Sequence, residues 1–505
     1  MKGVYFMKKR IALLLVSMLL LASACGPQEP VTEARTDLVT AINSDIATLH
    51  PTDHSTSNEM DITNQIYDGL MKFVRDGSAT LEPRVAKDYK ISEDGKSYTF
   101  YLRDDITFHN GAKLTAKDVA FTLELYKKSP YQGARVAGLA DVEIVDDYTI
   151  KLTTEGVYSP FLESIVEIHI ASKEYYESVD ETTFAQQPVG CGPYAFVSHE
   201  VGNKVTLKAY EDYYRGAAKI KDVTMKVIGD DTAVSVALQT GDIDFATILP
   251  ASFDTLKESD KIVIEEVPVS AFTFVAMNHE KYPYSEVKFR QAIAYAVDRQ
   301  NMVDLAANGL ATVNSNILSP FRFGYSDDQP KYDYNQEKAK QLLTEAGITT
   351  PYDLGTMYVA EQYSAEAQVL QSDLEKIGLK VKLEILEFNA YLKKLMSGEY
   401  GISVLNMALE GPTQILNLAL TADYIGMANN ARYTDPQIEQ WFKDAVLTVD
   451  EDERFEIYNK IFTKVQEDAV YVILYNKELL YAHSAELKCH AFELEGHYDI
   501  HGFSW

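Results

Sequence analysis

The chain has 505 residues, a formal net charge of −28 and 46% hydrophobic residues, among them 33 Tyr and 21 Phe. So acidic a protein disfavours nucleic acid and anionic membrane as partners, and this apolar content excludes a disordered acidic chain. The length calls for two or three packed lobes, and three cysteines are too few for a disulfide scaffold.

The first element is a leader. Lys8, Lys9 and Arg10 precede an apolar run from Ile11 to Ala24 that is broken only by Ser17 and Ser23. A charged start, a short apolar stretch and small residues before a cut read as a secretory signal over 1–24. The run is shorter than the ~20 apolar residues a membrane span needs. Ala22-Ser23-Ala24-Cys25-Gly26 resembles a bacterial lipoprotein box, in which the cysteine carries the lipid. Ala22 replaces the Leu usual there. The polar stretch 25–35 then suits a flexible tether.

Strands and helices alternate from there on. In "KSYTFYLRD" Tyr98, Phe100 and Leu102 fall on one face of a strand. "LTAKDVAFTLELYKK" predicts a helix capped by Thr115, with Asp118 three residues on. "DDYTIKLTT" and "KVTLKAY" predict further strands. In "SEVKFRQAIAYAVDRQNMV" Phe289, Ala292, Ile293, Ala296 and Val297 share a helical face. "NQEKAKQLLTEAG" and "AEAQVLQSDLEKIG" predict helices stopped at Gly347 and Gly378. "LKVKLEILE" alternates with Val381, Leu383 and Ile385 inward, and "TDPQIEQWFKDAV" opens on Asp435 and Pro436. The pattern is that of an α/β protein built on twisted sheets.

Motifs for chemistry are sparse. The chain has no H-E-x-x-H, no G-x-S-x-G and no phosphate loop. Ser285-x-x-Lys288 lacks the partner motifs of a serine acyl-enzyme and reads as a helix start with a surface lysine. His50 and His54 flank Asp53, but Pro51 argues for a loop instead of one helical face. His490, His497 and His501 near Cys489 match no metal spacing. No cofactor and no metal is expected, and the expectation is a binding protein, not an enzyme. Whether Cys191 and Cys489 pair stays open.

Several stretches together resemble family 5 of the extracellular solute-binding proteins of ABC importers, the peptide/nickel group. They are "SYTFYLRDDITFHNGAKLTAKDVAFTLE" (97–124), "PVGCGPYAF" (188–196), "LQTGDIDFA" (238–246), "VKFRQAIAYAVDR" (287–299) and "YDYNQEKAKQLLTEAG" (332–347). The resemblance implies a two-lobed, type II periplasmic-binding-protein-like α/β fold with an extra subdomain on lobe I. Lobe I is then expected over 36–272 plus 482–505, with the subdomain near 76–182, and lobe II over 273–481. A hinge joins the lobes and ligand is enclosed between them. The implied partners are an ABC permease and its ATPase, a solute or peptide, and the membrane through a lipid at Cys25. A monomer anchored at the outer face of the cytoplasmic membrane is expected, at a cell surface or in a periplasm.

The resemblance also locates the cargo residues. The loop Ser55, Thr56, Ser57, Asn58, Glu59 and Met60 is expected to border the cleft. Glu361, Gln362 and Tyr363 stand where dipeptide binders of the family carry an Arg for the carboxylate. Asn406, Met407, Ala408 and Glu410 stand near the usual Asp for the α-amine, with Ala408 in its place. With both dipeptide anchors missing, a free dipeptide would bury an unpaired carboxylate. Glu59, Glu361, Tyr363 and Glu410 point instead to a neutral or cationic cargo, or a longer or blocked peptide. A nickel–metallophore complex would want positive partners for its carboxylates, and Arg135 is the one such partner offered. The alternatives are a nickel or metal-chelate binder of the same family and, less in keeping, a surface-anchored hydrolase.

Overall fold

The structure, a computed structural model, describes residues 35–54, 56–73, 81–320, 322–409, 411–489 and 498–505. The leader, Cys25 and the tether, together with Ser55, Glu410, His490 and His497, lie outside the described residues.

Among the described residues a nine-stranded mixed sheet forms the frame. Its order is Ile402–Ala408, Ile262–Met277, Tyr471–Ser484, Phe245–Ile248, Asp37–Ile42, Asp222–Val227, Lys204–Ala209 and Tyr194–Glu200, with Ala311–Val313 also on Tyr471–Ser484. Asp37–Ile42 runs parallel to both neighbours and the other pairs are antiparallel. Strands of alternating character bury one face and expose the other, and Lys204–Ala209 does so with Val205 and Leu207 inward.

Two strands are long enough to serve two cores. Ile262–Met277 has 16 residues and Tyr471–Ser484 has 14. Val267 and Tyr481 pack with Leu38, Ile62, Tyr194 and Met225. Phe272–Met277 and Tyr471–Tyr475 pack with Phe289, Leu370, Val404 and Phe462 in a separate core. Between them the ladder loses register from Pro268 to Phe272. Pro268 brings no N–H to a ladder, so pairing is weakest where the chain leaves one core for the other. The molecule is thus two-lobed and mixed α/β.

A third core is inserted into the first lobe. Ala86–Ile91, Ser97–Leu102, Thr149–Thr154 and Leu139–Asp146 form a four-stranded antiparallel sheet. The helix Ala116–Lys128 packs on it through Val119 and Leu123. Tyr98, Phe100 and Leu102 are all buried, each worth roughly 1.5–3 kcal/mol of removed apolar surface. Thr115 and Asp118 form the expected capping box. This subdomain also touches the second lobe. Ser159 donates its N–H to the Val446 carbonyl (2.8 Å) and its hydroxyl to the Ala445 carbonyl (3.1 Å), at the end of the helix Pro436–Leu447.

Three local expectations are corrected. The apolar face over 287–303 is two helices, Val287–Ala296 and Arg299–Ala306. Asp298 ends the first by capping the second at Asn301 N–H (3.1 Å). Buried Arg299 meanwhile reaches the carbonyls of Ile473 and Tyr332, both at 2.7 Å. Ile385 is 51% exposed, because the two-stranded sheet of Tyr352–Ala360 and Leu379–Leu386 outruns the core at that end. Lastly, Ser57–Met60 are not loop. They form the first turn of the helix Ser57–Ile66, started by a capping box that reads Thr56-x-x-Glu59.

Candidate functional site

That capping box sets the first wall of the site. Glu59 Oε2 accepts from Thr56 N–H (3.1 Å), and Oε1 accepts from Ala47 and Thr48 N–H (3.0 and 3.3 Å). With three backbone donors on a buried carboxylate, Glu59 serves the fold, so it is not the free acid that a cationic cargo needs. Asn58 is similarly tied, its amide donating to the Ser44 carbonyl at 2.9 Å. Thr56 and Ser57 are exposed and Met60 is half-buried.

Behind this turn lies a cavity of about 120 Å³, lined by residues of the first lobe and its subdomain. Met60 and Arg135 line it, as do His54, Asn64, Tyr126 and His169. The ring of His169 stacks on Tyr67 (5.5 Å) and lies 5.2 Å from the ring of His54. His169 Nε2 meets Asn64 Oδ1 at 2.9 Å, and its backbone N–H donates to the Tyr126 hydroxyl at 3.0 Å. Tyr126 in turn donates to the Pro51 carbonyl (3.3 Å) and Ser129 to that of Thr52 (2.6 Å). The 50–54 loop is thereby fastened to the subdomain helix. A second group on the same cavity, Asp68, Arg84 and Tyr213, is self-contained: Asp68 accepts from the hydroxyls of Tyr213 (2.8 Å) and Tyr214 (2.7 Å) and faces Arg84 at 3.8 Å.

Arg135 sits in the short 3-10 turn Gly133–Val136. Its Nε donates to Gln132 Oε1 at 3.0 Å, and no carboxylate pairs with it among the described residues. His54 is 4% exposed. Burial first, and then the charge of Arg135, hold its imidazole below the usual histidine range, so it is neutral at pH 7. Groups of three or more metal-ligating side chains are absent among the described residues.

The remaining predicted residues lie in the second lobe. Glu361 and Gln362 are exposed in a single turn and Tyr363 is buried, its ring 6.3 Å from that of Tyr391. This turn follows directly on the strand Tyr352–Ala360. Asn406, Met407 and Ala408 end the edge strand Ile402–Ala408, opposite Thr273, Phe272 and Ala271 at the register break. Asn406 and Met407 are half-buried and Ala408 is exposed. Both groups thus stand at carboxyl ends of strands, where open α/β sheets place their ligands. The structure brings Met60 and Arg135 to one cavity and leaves the 361–363 and 406–408 groups on the other lobe. His169, Asn64 and Tyr126 were not expected. They come together from separated stretches of chain and carry no local motif.

Elsewhere the sequence candidates are structural. His50 Nδ1 accepts from Thr52 N–H at 3.2 Å, Lys288 pairs with Glu345 at 2.7 Å on the surface, and His501 meets the Gly216 carbonyl at 2.9 Å. Cys191 and Cys489 are two free, buried thiols.

Residues 80–420 match the family model of the bacterial extracellular solute-binding proteins, family 5. The chain is similar to heme-binding protein A of Haemophilus influenzae, 29% identical over 446 residues that cover 81% of each chain. It is similar also to the oligopeptide-binding protein AppA of Bacillus subtilis, 27% identical over 455 residues, 85% of this chain and 83% of that one. Among solved structures, HbpA2 from Haemophilus parasuis superposes with a TM-score of 0.84 at 26% identity, over 93% of this chain and 99% of that one. DppA from Helicobacter pylori in complex with the peptide STSA gives 0.71 at 25% identity, over 93% and 98%.

Proposed function

The chain belongs to family 5 of the bacterial extracellular solute-binding proteins, and from that membership we propose that it captures a peptide between its lobes and hands it to an ABC importer. The observation that carries the peptide reading is the set of relatives: several are peptide-binding proteins, and one structural neighbour holds a tetrapeptide. Polar and aromatic groups at the carboxyl ends of strands in lobe II then face the cavity of lobe I across the cleft. The hinge is the register break at Pro268–Phe272 together with its partner segment in Tyr471–Ser484. Domain closure around ligand is the motion such a connection permits. On this reading lobe I spans about 36–272 plus the C-terminal segment and lobe II begins at 273; the return crossing falls near Asn476–Glu478, not at 481/482, because Leu480 and Tyr481 pack in the first lobe's cores. A lipid on Cys25 keeps the protein, a monomer, beside its permease at the outer face of the membrane. The cargo leaves chemically unchanged.

Native mass spectrometry of the purified chain, before and after unfolding and refolding, tests this reading. A co-purified peptide mass that disappears on refolding and returns when the peptide is added back is the expected result. Recovery of the added peptide in cleaved form would sink the binding reading in favour of a hydrolase.

A further inference from the structure

Resting on the peptide reading above, we propose that the lobe I cavity is a subsite for the C-terminal residue of the cargo, with Arg135 taking its carboxylate and His54 its amide N–H. Two observations converge on this assignment. Arg135 lines the cavity with a guanidinium that has one neutral hydrogen-bond partner and no ion pair among the described residues. His54 lines the same cavity, is 4% exposed, and its Nδ1 has no hydrogen-bond partner. A buried polar atom left unmatched costs free energy, and one that lines a cavity is matched when the cavity fills.

The two groups ask for different things. The neutral His54 ring carries one donor and one acceptor nitrogen, and its buried Nδ1 has no hydrogen-bond partner. In the tautomer with the ring proton on Nε2, Nδ1 is a bare lone pair that accepts. Arg135 only donates and prefers an anion with two oxygens. The cargo group must therefore carry a carboxylate and, close by, an N–H. The last residue of a peptide has both, separated by one carbon. A volume of about 120 Å³ has room for roughly four waters, enough for such a terminus and its small side chain. The predicted acid nearest the cavity, Glu59, does not oppose this, because it is already filled by backbone donors.

The test uses a randomised pool of tri- to pentapeptides made twice, with a free carboxyl and with an amidated C-terminus, offered to the refolded chain and read by native mass spectrometry. Bound masses from the free-acid pool are expected at roughly tenfold to a hundredfold higher affinity than from the amidated pool, the worth of a charge-assisted hydrogen bond. Arg135→Gln is expected to abolish that preference and Arg135→Lys to retain most of it, which controls for folding. His54→Phe keeps the ring and removes the acceptor; it is expected to weaken both pools while the free-acid preference persists. Equal binding of the two pools by wild type, or an undiminished preference in Arg135→Gln, overturns the subsite and leaves the peptide reading standing. Bound masses from neither pool overturn the peptide reading itself.

Discussion

His109 shows what one buried imidazole does to acid stability. Its Nδ1 accepts from Gly190 N–H at 3.3 Å, and its Nε2 meets the Gly192 carbonyl at 3.0 Å. The ring is thus neutral, with the proton on Nε2. Desolvation pulls its pKa from 6.5 down to about 4. Between those values the unfolded chain binds a proton that the folded chain refuses, so stability falls as pH drops from about 6.5 to 4. Burial pushes His50 and His279 in the same direction. The midpoint of thermal unfolding is expected to fall across that window, and less steeply in His109→Asn; an unchanged slope in the variant would remove His109 from the account. At the same scale, burial raises both free thiols, Cys489 to about 12. Neither is expected to react with iodoacetamide until the chain unfolds, as read by peptide mass mapping. Little of this was legible. His109 stands inside the stretch that carried the family resemblance, yet nothing in "TFHNG" says that its ring will meet a glycine pair some eighty residues on. The same distance hid His169 and Asn64.

Elements whose signals are local were read well. Thr115 and Asp118 capped their helix as expected because a capping box needs only four consecutive residues. The same logic was overlooked in Thr56-x-x-Glu59, where small polar residues suggested a loop while the box had already started a helix. The break at Asp298 was missed for another reason: helical spacing continues across it, and the reason to stop is buried Arg299 finding carbonyls on distant strands. Gly190-Cys191-Gly192 lies in a stretch quoted for the family resemblance, and what its glycines answer is a requirement of space. A Cβ on Gly190 would lie 2.0 Å from the Ile66 carbonyl oxygen, and one on Gly192 2.7 Å from that of Gln65. These contacts lock the turn onto the end of the helix Ser57–Ile66, where Gly192 N–H donates to the Ile66 carbonyl at 2.8 Å. Gly190→Ala is expected to cost about 1–3 kcal/mol or more, since backbone must move to admit the methyl. Denaturant melts would show it as a lower midpoint at unchanged slope; an unshifted midpoint would mean that the helix end yields freely.

At the scale of the molecule, two lobes joined by two long strands would be free to rotate about the register break, were it not for a second connection. The subdomain is covalently part of lobe I, yet Ser159 caps the carbonyls of Ala445 and Val446 in lobe II. Those carbonyls lie in the last turn of the helix, where intrahelical donors run out; Ala445 also accepts from Thr448 N–H at 3.1 Å, and the subdomain adds donors to this end of the other lobe. Glu163 and Arg454 stand 3.8 Å apart across the same seam, beside a cavity of about 90 Å³. Rotation at the hinge must then either break this seam or carry the subdomain along with lobe II. Sequence could not reveal it, because the subdomain is expected to follow the lobe into which it is inserted. The seam is expected to limit how far the ligand-free lobes swing. Nitroxide labels at Glu93→Cys, on the subdomain, and Lys443→Cys, on lobe II, should report a narrow distance distribution by pulsed EPR. Adding Ser159→Ala with Arg454→Gln removes one hydrogen bond and the ion pair, worth roughly 1–3 kcal/mol together at a partly buried seam. That loss should broaden the distribution and shift the apparent affinity for ligand, since binding draws on the population of closable states. A distribution as narrow as that of the parent would mean that the seam follows the lobes and does not restrain them, and the hinge strands alone would then set the range of motion.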